Sequence, residues 1–406
     1  MIKAQQSFHV MTKPAGARCN LSCAYCYYLE KSALFDESAT FRMSDEVLEC
    51  YVRDYIAAQP GKVVSFAWQG GEPTLMGLDF FRRAVELQKR YAAGKQIENA
   101  FQTNGTRLTD EWCAFFREHS FLLGVSIDGP RALHNAYRKD RNGKGTFDKV
   151  LRGIKLLRKH EVEFNTLTCV HRKNQDAPVE VYQFLKSLGS TFLQFIPVVE
   201  RVPNAASRAL GCALQAPGAG PADLTTWSVR RDGFGRFLCG VFDRWVKRDV
   251  GRIFVQQFDC AFGQWLGLKS TMCSHSEVCA ANIAMEHDGS LFMCDHYVYR
   301  SHRLGRIGEL PLAEQLNKPQ FRAFREAKQN QLSKQCQACP YRFACGGDCP
   351  KHRFIAGDEG DYPVSYLCPS YQRFYKHIDQ PMRTMARLYR AGRSPASIMA
   401  RSRVGV

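Results

Sequence analysis

The run Arg18-Cys19-Asn20-Leu21-Ser22-Cys23-Ala24-Tyr25-Cys26-Tyr27 carries the first chemistry legible in the chain. Its three cysteines are spaced C-x3-C-x2-C, with no fourth cysteine close by. A structural zinc site closes four ligands around its ion, and a four-iron cube also has four irons to ligate. Three local thiolates therefore point to a cube with one iron left open, where a small molecule is held and reduced. Three buried cysteines, or a zinc loop that borrows a distant ligand, are the competing readings. Downstream, the apolar run Val63-Val64-Ser65-Phe66-Ala67 ends in Trp68-Gln69-Gly70-Gly71-Glu72-Pro73. A strand that stops at Gly-Gly leaves backbone groups unobstructed, which suits the polar end of a ligand. An ordinary turn is the alternative.

A second set of eight cysteines begins at Cys273 and continues with Cys279, Cys294, Cys336, Cys339, Cys345, Cys349 and Cys368. From Cys336 to Cys349 the spacing is C-x2-C-x5-C-x3-C. Eight thiolates are enough for two four-iron cubes with complete ligation, and equally for a pair of structural zinc sites. The remaining six, Cys50, Cys113, Cys169, Cys212, Cys239 and Cys260, have no such spacing. They read as buried small hydrophobes.

Strands are expected at Phe8–Thr12, Val63–Trp68, Ile97–Thr103, Leu122–Ile127, Val162–Val170 and Phe192–Val198. Helical patterns at Ser44–Ala58, Asp79–Ala93, Thr109–Glu118, Phe147–Lys159 and Pro178–Leu188 lie between them. Ser44 and Thr109 read as N-caps, each followed by acidic residues in the first turn. Regular β–α alternation argues for an α/β fold with a parallel sheet and right-handed crossovers. Six such units fit a partial (β/α)6 barrel, whose chemistry belongs at the C-terminal ends of the strands. The cysteine loop, Gly70-Gly71-Glu72-Pro73, Thr103-Asn104-Gly105-Thr106 and Ser126-Ile127-Asp128-Gly129-Pro130 each end one of the first four strands. His134-Asn135-Ala136-Tyr137-Arg138 follows, and Gln194-Phe195-Ile196-Pro197-Val198-Val199 forms the sixth strand. Residues 203–222, rich in Ala, Gly and Pro, read as a flexible loop, and a helix resumes from about Trp227 to Arg248. Arg383, Arg387, Arg390, Arg393, Arg401 and Arg403 make the terminal segment basic.

The triad and the Gly-Gly-Glu-Pro together resemble the signature of the radical S-adenosylmethionine (SAM) enzymes. The second cysteine set resembles the SPASM-type extension of their peptide-modifying members. Within that group, Cys273 and the pair Cys294-Asp295 are most similar to the anaerobic sulfatase-maturating enzymes. The resemblance implies three [4Fe–4S] clusters. One stands on Cys19, Cys23 and Cys26 with SAM on its fourth iron, one on Cys273, Cys279, Cys294 and Cys349, and one on Cys336, Cys339, Cys345 and Cys368. It implies SAM contacts at Tyr25, Gly70, Ser126, Arg138 and Val199, where an arginine fork suits a carboxylate. The implied reaction oxidises a Cys or Ser side chain of a sulfatase polypeptide to Cα-formylglycine, with Asp295 as the base and His296 as its competitor. A 5′-deoxyadenosyl radical removes the Cβ hydrogen, an auxiliary cluster takes the remaining electron, and a flavodoxin or ferredoxin serves as electron donor. The expected domains are a barrel at 1–202, a loop and connecting helix at 203–260, a SPASM-type iron–sulfur domain at 261–375 and a basic tail at 376–406.

At 406 residues the chain should hold a barrel plus an appendage. No run of eighteen apolar residues predicts a membrane span, and the start lacks the apolar core of a secretory signal. Seventeen cysteines without an export signal point to metal or redox chemistry in a reducing, cytoplasmic compartment. The formal charge of +17 raises the question of nucleic acid. Three thiolate-ligated cubes would subtract about five units, and no motif interleaves aromatics with the basic residues, so neither nucleic acid nor membrane is expected as a partner. Two other functions compete: a SPASM maturase of another ribosomal peptide, and a zinc- and cluster-bearing binding protein that uses its basic surface. Only eighteen residues precede Cys19, which argues against the N-terminal peptide-binding domain such a maturase often carries.

Overall fold

Alternation within the strands decides which face of the sheet meets the helices. In β2 (Val63–Trp68), Val64, Phe66 and Trp68 are buried while Ser65 and Ala67 look the other way. In β4 (Leu122–Ser126) the same split puts Leu123 and Val125 behind the sheet and Gly124 and Ser126 in front. The computed structural model describes residues 3–36, 40–218, 223–358 and 360–401. With β1 (His9–Thr12), β3 (Gln96–Thr103), β5 (Phe164–Val170) and β6 (Phe192–Pro197), these strands run parallel in chain order. Helices Asp45–Ala58, Leu78–Tyr91, Asp110–Glu118, Phe147–Lys159 and Pro178–Ser187 cross between them. The result is an α/β fold whose six parallel β–α units form an open, partial barrel, as expected.

Sequence and structure agree closely on the caps: Ser44 accepts from the amide of Val47, and Thr109 from that of Trp112. Three boundaries move by two residues or more, the first at the second helix, which ends at Tyr91 rather than Ala93, where Ala93 takes a φ of 48°. The fifth strand starts at Phe164 rather than Val162, because Glu161 takes a φ of 53° and the Val162 amide still closes the preceding helix on Leu157. The helix expected from Trp227 begins at Gly233, because 227–232 are spent in turns, with the Ser228 hydroxyl donating to the Glu200 carbonyl. Within residues 203–218 a helix, Ala205–Ala209, is capped by Asn204, and the amide of Leu214 donates to Glu30 at 2.7 Å. Positions 219–222, like Arg403, lie outside the described residues.

The sheet does not stop at the barrel. β7 (Phe254–Val255) extends the β6 edge. On the other edge, β8 (Asn282–Met285) pairs parallel with β1, followed by antiparallel β9 (Ser290–Phe292) and β10 (Arg303–Arg306). Strands from the cysteine-rich region thus cover an edge that would otherwise be open. A second sheet of two strands, Arg353–Ile355 and Val364–Ser365, stands apart. The basic terminal segment begins inside a 23-residue helix, Cys368–Arg390, which packs on the helix Gly233–Arg248. No helix of the described residues is long and apolar enough to cross a membrane.

Behind the barrel an aromatic cluster fills the space between strands and helices. Phe101 lies 5.0 Å from both Phe81 and Phe116 and 5.9 Å from Trp112, ring centre to ring centre. Replacing Phe101 with Ala should cost about 3–5 kcal/mol of unfolding free energy. Anaerobic chemical denaturation would register this as an earlier midpoint at an unchanged slope.

Candidate metal and cofactor centre

Residues 13–26 cross the C-terminal end of β1, and the second strand's Gly-Gly-Glu-Pro is zipped onto them. The amide of Gln69 donates to Thr12, that of Gly71 to Gly16 at 2.8 Å and that of Glu72 to Arg18 at 2.9 Å. A Cβ on Gly71 would lie 1.8 Å from the Arg18 carbonyl oxygen, so only glycine permits this approach. Gly71 therefore serves chain against chain, and the backbone left for a ligand is that of Gly70. Glu72 is fully buried and accepts from the Thr103 hydroxyl and the Asn104 amide, both at 2.8 Å, which locks the third strand's loop to the second's. Asn104 in turn points its amide at the Cys19 sulfur, 3.7 Å away.

The three thiols of this loop face one another closely enough for each to disfavour ionisation of its neighbours. Burial pushes the thiols of Cys19 and Cys23 up to about 12 and raises that of Cys26. Iron binding there would displace protons. Among the described residues, no three His, Cys, Asp or Glu side chains converge as the ligands of one ion do. A cube asks for wider spacing, since each thiolate takes a different iron.

A buried polar network flanks the triad. Asp128 accepts from the Tyr25 hydroxyl and from Arg138 Nε at 3.2 Å, with His171 Nε2 at 3.7 Å. Burial alone would raise its carboxyl, but Arg138, His171 and His134 outweigh it and hold Asp128 below the usual range. The Arg138 guanidinium spans from Asp128 toward Cys23, 4.0 Å from its sulfur. Ser126 accepts from Gln102 at 3.0 Å on the inner face of the sheet. Val199 is buried two residues beyond β6, and its neighbour Glu200 faces Cys26. The structure thus brings Tyr25 and Arg138 together around Asp128 and ranges Gly70, Ser126 and Val199 along the same rim.

The eight downstream cysteines separate into two quartets. Cys294 faces Cys349 and Cys273, and Cys349 also faces Cys279. Cys345 faces Cys368 and Cys336, and Cys368 faces Cys339. These last four line one cavity with Tyr371 and Tyr375. Gly346, at a φ of 57°, lets the loop between Cys345 and Cys349 lie against 273–276: a Cβ there would be 2.7 Å from the carbonyl oxygens of His275 and Ser276. Both quartets are sulfur-only donor sets, which fits the chemistry of cluster ligation.

Asp295 follows Cys294 and reaches back to the first loop. One carboxylate oxygen accepts from the Tyr27 hydroxyl and the other pairs with the Lys13 ammonium. Burial would raise its carboxyl; the Lys13 ammonium and the two hydrogen bonds more than offset this and hold it below the usual range. His296 packs on the Tyr27 ring at 4.9 Å, and burial and Lys351 push its imidazole down to about 3, so it is neutral at pH 7.

Sequence reasoning missed Lys13, Tyr27, Asp128 and Cys169. Tyr27 and Asp128 stood inside motifs already singled out, whereas Lys13 needed the end of β1 to be located first. Cys169, expected as a core hydrophobe, instead looks inward with Asn165 and Leu167, facing Asp128, Arg138 and Cys26. Of the other five, Cys113, Cys212 and Cys260 are buried, and Cys50 and Cys239 are partly buried.

Residues 14–185 match the model of the Radical SAM superfamily, and residues 273–340 that of an iron–sulfur cluster-binding domain. A serine-type anaerobic sulfatase-maturating enzyme of Bacteroides thetaiotaomicron is 42% identical over 96% of this chain and 94% of its own length. A cysteine-type anaerobic sulfatase-maturating enzyme of Clostridium perfringens is 33% identical over 91% and 95%. The solved structure of native anSMEcpe with bound AdoMet and Cp18Cys peptide superposes with a TM-score of 0.81 at 31% identity, covering 93% of this chain and 98% of that one.

Gly71→Ala should cost the protein its first cluster, because the clash is with backbone. The expected loss is about four irons per chain, read by iron analysis and electron paramagnetic resonance (EPR) of anaerobically reconstituted protein. Gly61→Ala, whose Cβ would meet nothing nearer than 3.9 Å, should keep them all.

Proposed function

The chain belongs to the anaerobic sulfatase-maturating enzymes of the radical SAM superfamily, and we propose that it oxidises one Cys or Ser side chain of a sulfatase polypeptide to Cα-formylglycine. One observation carries this reading. Asp295 is held by Tyr27, which adjoins Cys26, and is itself adjacent to Cys294, so a carboxylate bridges the first cysteine loop and the first downstream quartet.

The reaction must remove a hydrogen from an unactivated Cβ, a proton from the thiol or hydroxyl, and one further electron. SAM and the clusters, when bound, supply the carbon radical and the electron acceptor. Cys19, Cys23 and Cys26 would hold the first cluster, and the two quartets the others. Arg138 would present its guanidinium to the carboxylate of SAM, and Asp128 orients that guanidinium by fixing Nε. Tyr25, Gly70, Ser126 and Val199 would complete the cofactor's bed.

Asp295 would take the substrate's proton. An ionised carboxylate at pH 7 is a weak base, and its strength as a catalyst lies in position. The Lys13 ion pair keeps it deprotonated before the substrate arrives, and substrate entry that loosens this pair raises its proton affinity. For a Cys substrate the thioaldehyde then hydrolyses.

In this reading the barrel spans 1–202, the connecting loop and helix 203–260, the cluster-bearing domain 261–375 and the basic segment 376–406. A flavodoxin or ferredoxin supplies electrons, and the protein works in the cytoplasm. Neither nucleic acid nor membrane takes part.

Anaerobic incubation with SAM, a reductant and two peptides tests the proposal, one carrying Cys-x-Pro-x-Arg and the other Ser in place of Cys. Aldehyde on either peptide together with 5′-deoxyadenosine is expected. Nucleoside without aldehyde on either would overturn the substrate class and favour another ribosomal peptide. Asp295→Asn should lower aldehyde formation by about 10²–10⁴-fold while iron content and SAM cleavage persist. Asp128→Ala should weaken SAM binding on the order of tenfold, as expected when a charge-assisted contact to Arg138 is lost, read by equilibrium dialysis.

A further inference from the structure

Three lysines are almost completely buried: Lys13, Lys31 and Lys328. A buried ammonium is costly unless an anion compensates it. Lys13 pairs with Asp295, and Lys31 with Glu30 at 3.2 Å. Lys328 forms no ion pair among the described residues. Its three protons have two backbone acceptors, the carbonyl oxygens of Cys273 at 2.6 Å and Ser274 at 2.9 Å. The groups it faces electrostatically are Cys279, Cys349, Asp348 and Cys273. Asp348 is already engaged by His352 at 2.9 Å and Ser365 at 2.7 Å. Three of the four thiols of one quartet therefore surround a buried cation that has no carboxylate of its own.

Among the described residues the second quartet has no buried cation: Arg342 lines its cavity and Arg231 faces Cys368, but both are exposed and screened by water. The Asp348 carboxylate faces both quartets, Cys345 and Cys368 in the second and Cys349 and Cys273 in the first, and Asp295 also faces the first. The first quartet adds Arg325 and Arg353 to Lys328, all within reach of Cys279. Arg325 Nε donates to the Cys279 carbonyl at 2.8 Å, and Arg353 is buried against the carbonyls of Lys328, Gly346 and Gly347.

We propose that Lys328 is the built-in counter-charge of the cluster held by Cys273, Cys279, Cys294 and Cys349, and that it raises that cluster's reduction potential above that of the cluster on Cys336, Cys339, Cys345 and Cys368. The proposal rests on the cluster assignment made above. Four thiolates around an oxidised cube leave it with a net negative charge, and one further electron makes it more negative. A fixed positive charge in a low-dielectric site favours the reduced form. Lys328 is thus a positioning and tuning residue, with no contact to substrate. Its effect suits the reaction: of the two electrons lost by the substrate, one leaves with the Cβ hydrogen. The other is most readily taken by the cluster adjoining Asp295, where the proton leaves.

The test is an EPR-monitored redox titration of reconstituted Lys328→Met, a neutral side chain of similar length, beside the unsubstituted protein. A Cys279→Ser variant identifies the signal of the first quartet. At fixed applied potential, the reduced-to-oxidised ratio of that one cluster should fall by about tenfold, equal to ~59 mV for one electron. The other two clusters should keep their midpoints. Equal midpoints in Lys328→Met and the unsubstituted protein would overturn the proposal, and so would an equal shift in all three clusters. Where Lys328→Met fails to load its clusters, Arg325→Gln, a half-buried change beside the same cysteine, should give a smaller downward shift confined to the same signal. No shift there overturns the proposal. Fewer than three clusters in the unsubstituted protein would instead sink the ligand assignment itself, a result that iron analysis separates from an unshifted midpoint.

Discussion

The parallel pairing of β1 with β8 is the constraint on which the site depends. Four residue pairs, from His9 with Asn282 to Thr12 with Met285, fix the register between the N-terminal barrel and the cysteine-rich region. Lys13 continues the ladder by donating its amide to Met285. Because a one-residue slip would turn every side chain to the opposite face, this register decides whether the loop after β9 faces the loop after β1. In the observed register, Cys294 and Asp295 come to Tyr27 and Lys13, and the Tyr28 hydroxyl reaches Glu286. The contact between the two cysteine regions is thus set by the register of the sheet.

Much of this arrangement was legible in the sequence, and the parts that were not share a cause. The six barrel strands show their alternation locally, and Ser44 and Thr109 announce their helices through contacts three residues away. The triad and the paired glycines are also local. What the sequence hid is non-local: β8, four residues long, carries no pattern that tells an edge strand of the barrel from a strand of a separate domain. Lys13 looks like a surface lysine until β8 covers it. Cys169 looks like core until the strand's inward face proves to turn it toward the buried Asp128 and Arg138. The role of Gly71 was legible only by half, since glycine was clearly needed there but the neighbour requiring it, the Arg18 carbonyl, lies fifty-three positions upstream.

Charge in this chain is distributed by depth, which changes the meaning of its formal +17. A surface excess of that size would be an argument for polyanions. Part of the excess, however, lies inside: Lys13, Lys31 and Lys328 are each 1% exposed or less, and Arg138 and Arg353 are buried as well. Each points at something that is or can become anionic. Arg138 spans from Asp128 to Cys23, Lys13 holds Asp295, and Lys328 faces three thiols. Thiols that burial keeps protonated without metal become thiolates on iron, so Lys328, and Arg138 on its Cys23 side, are matched to charges that appear only on loading, whereas Lys13 and Lys31 already have carboxylates. A fold that prepares cations for absent anions carries their desolvation as a cost in the metal-free state. Cluster binding and folding stability are therefore coupled in this protein, most directly through Lys328, whose charge gains an anionic partner when the first downstream quartet carries its iron.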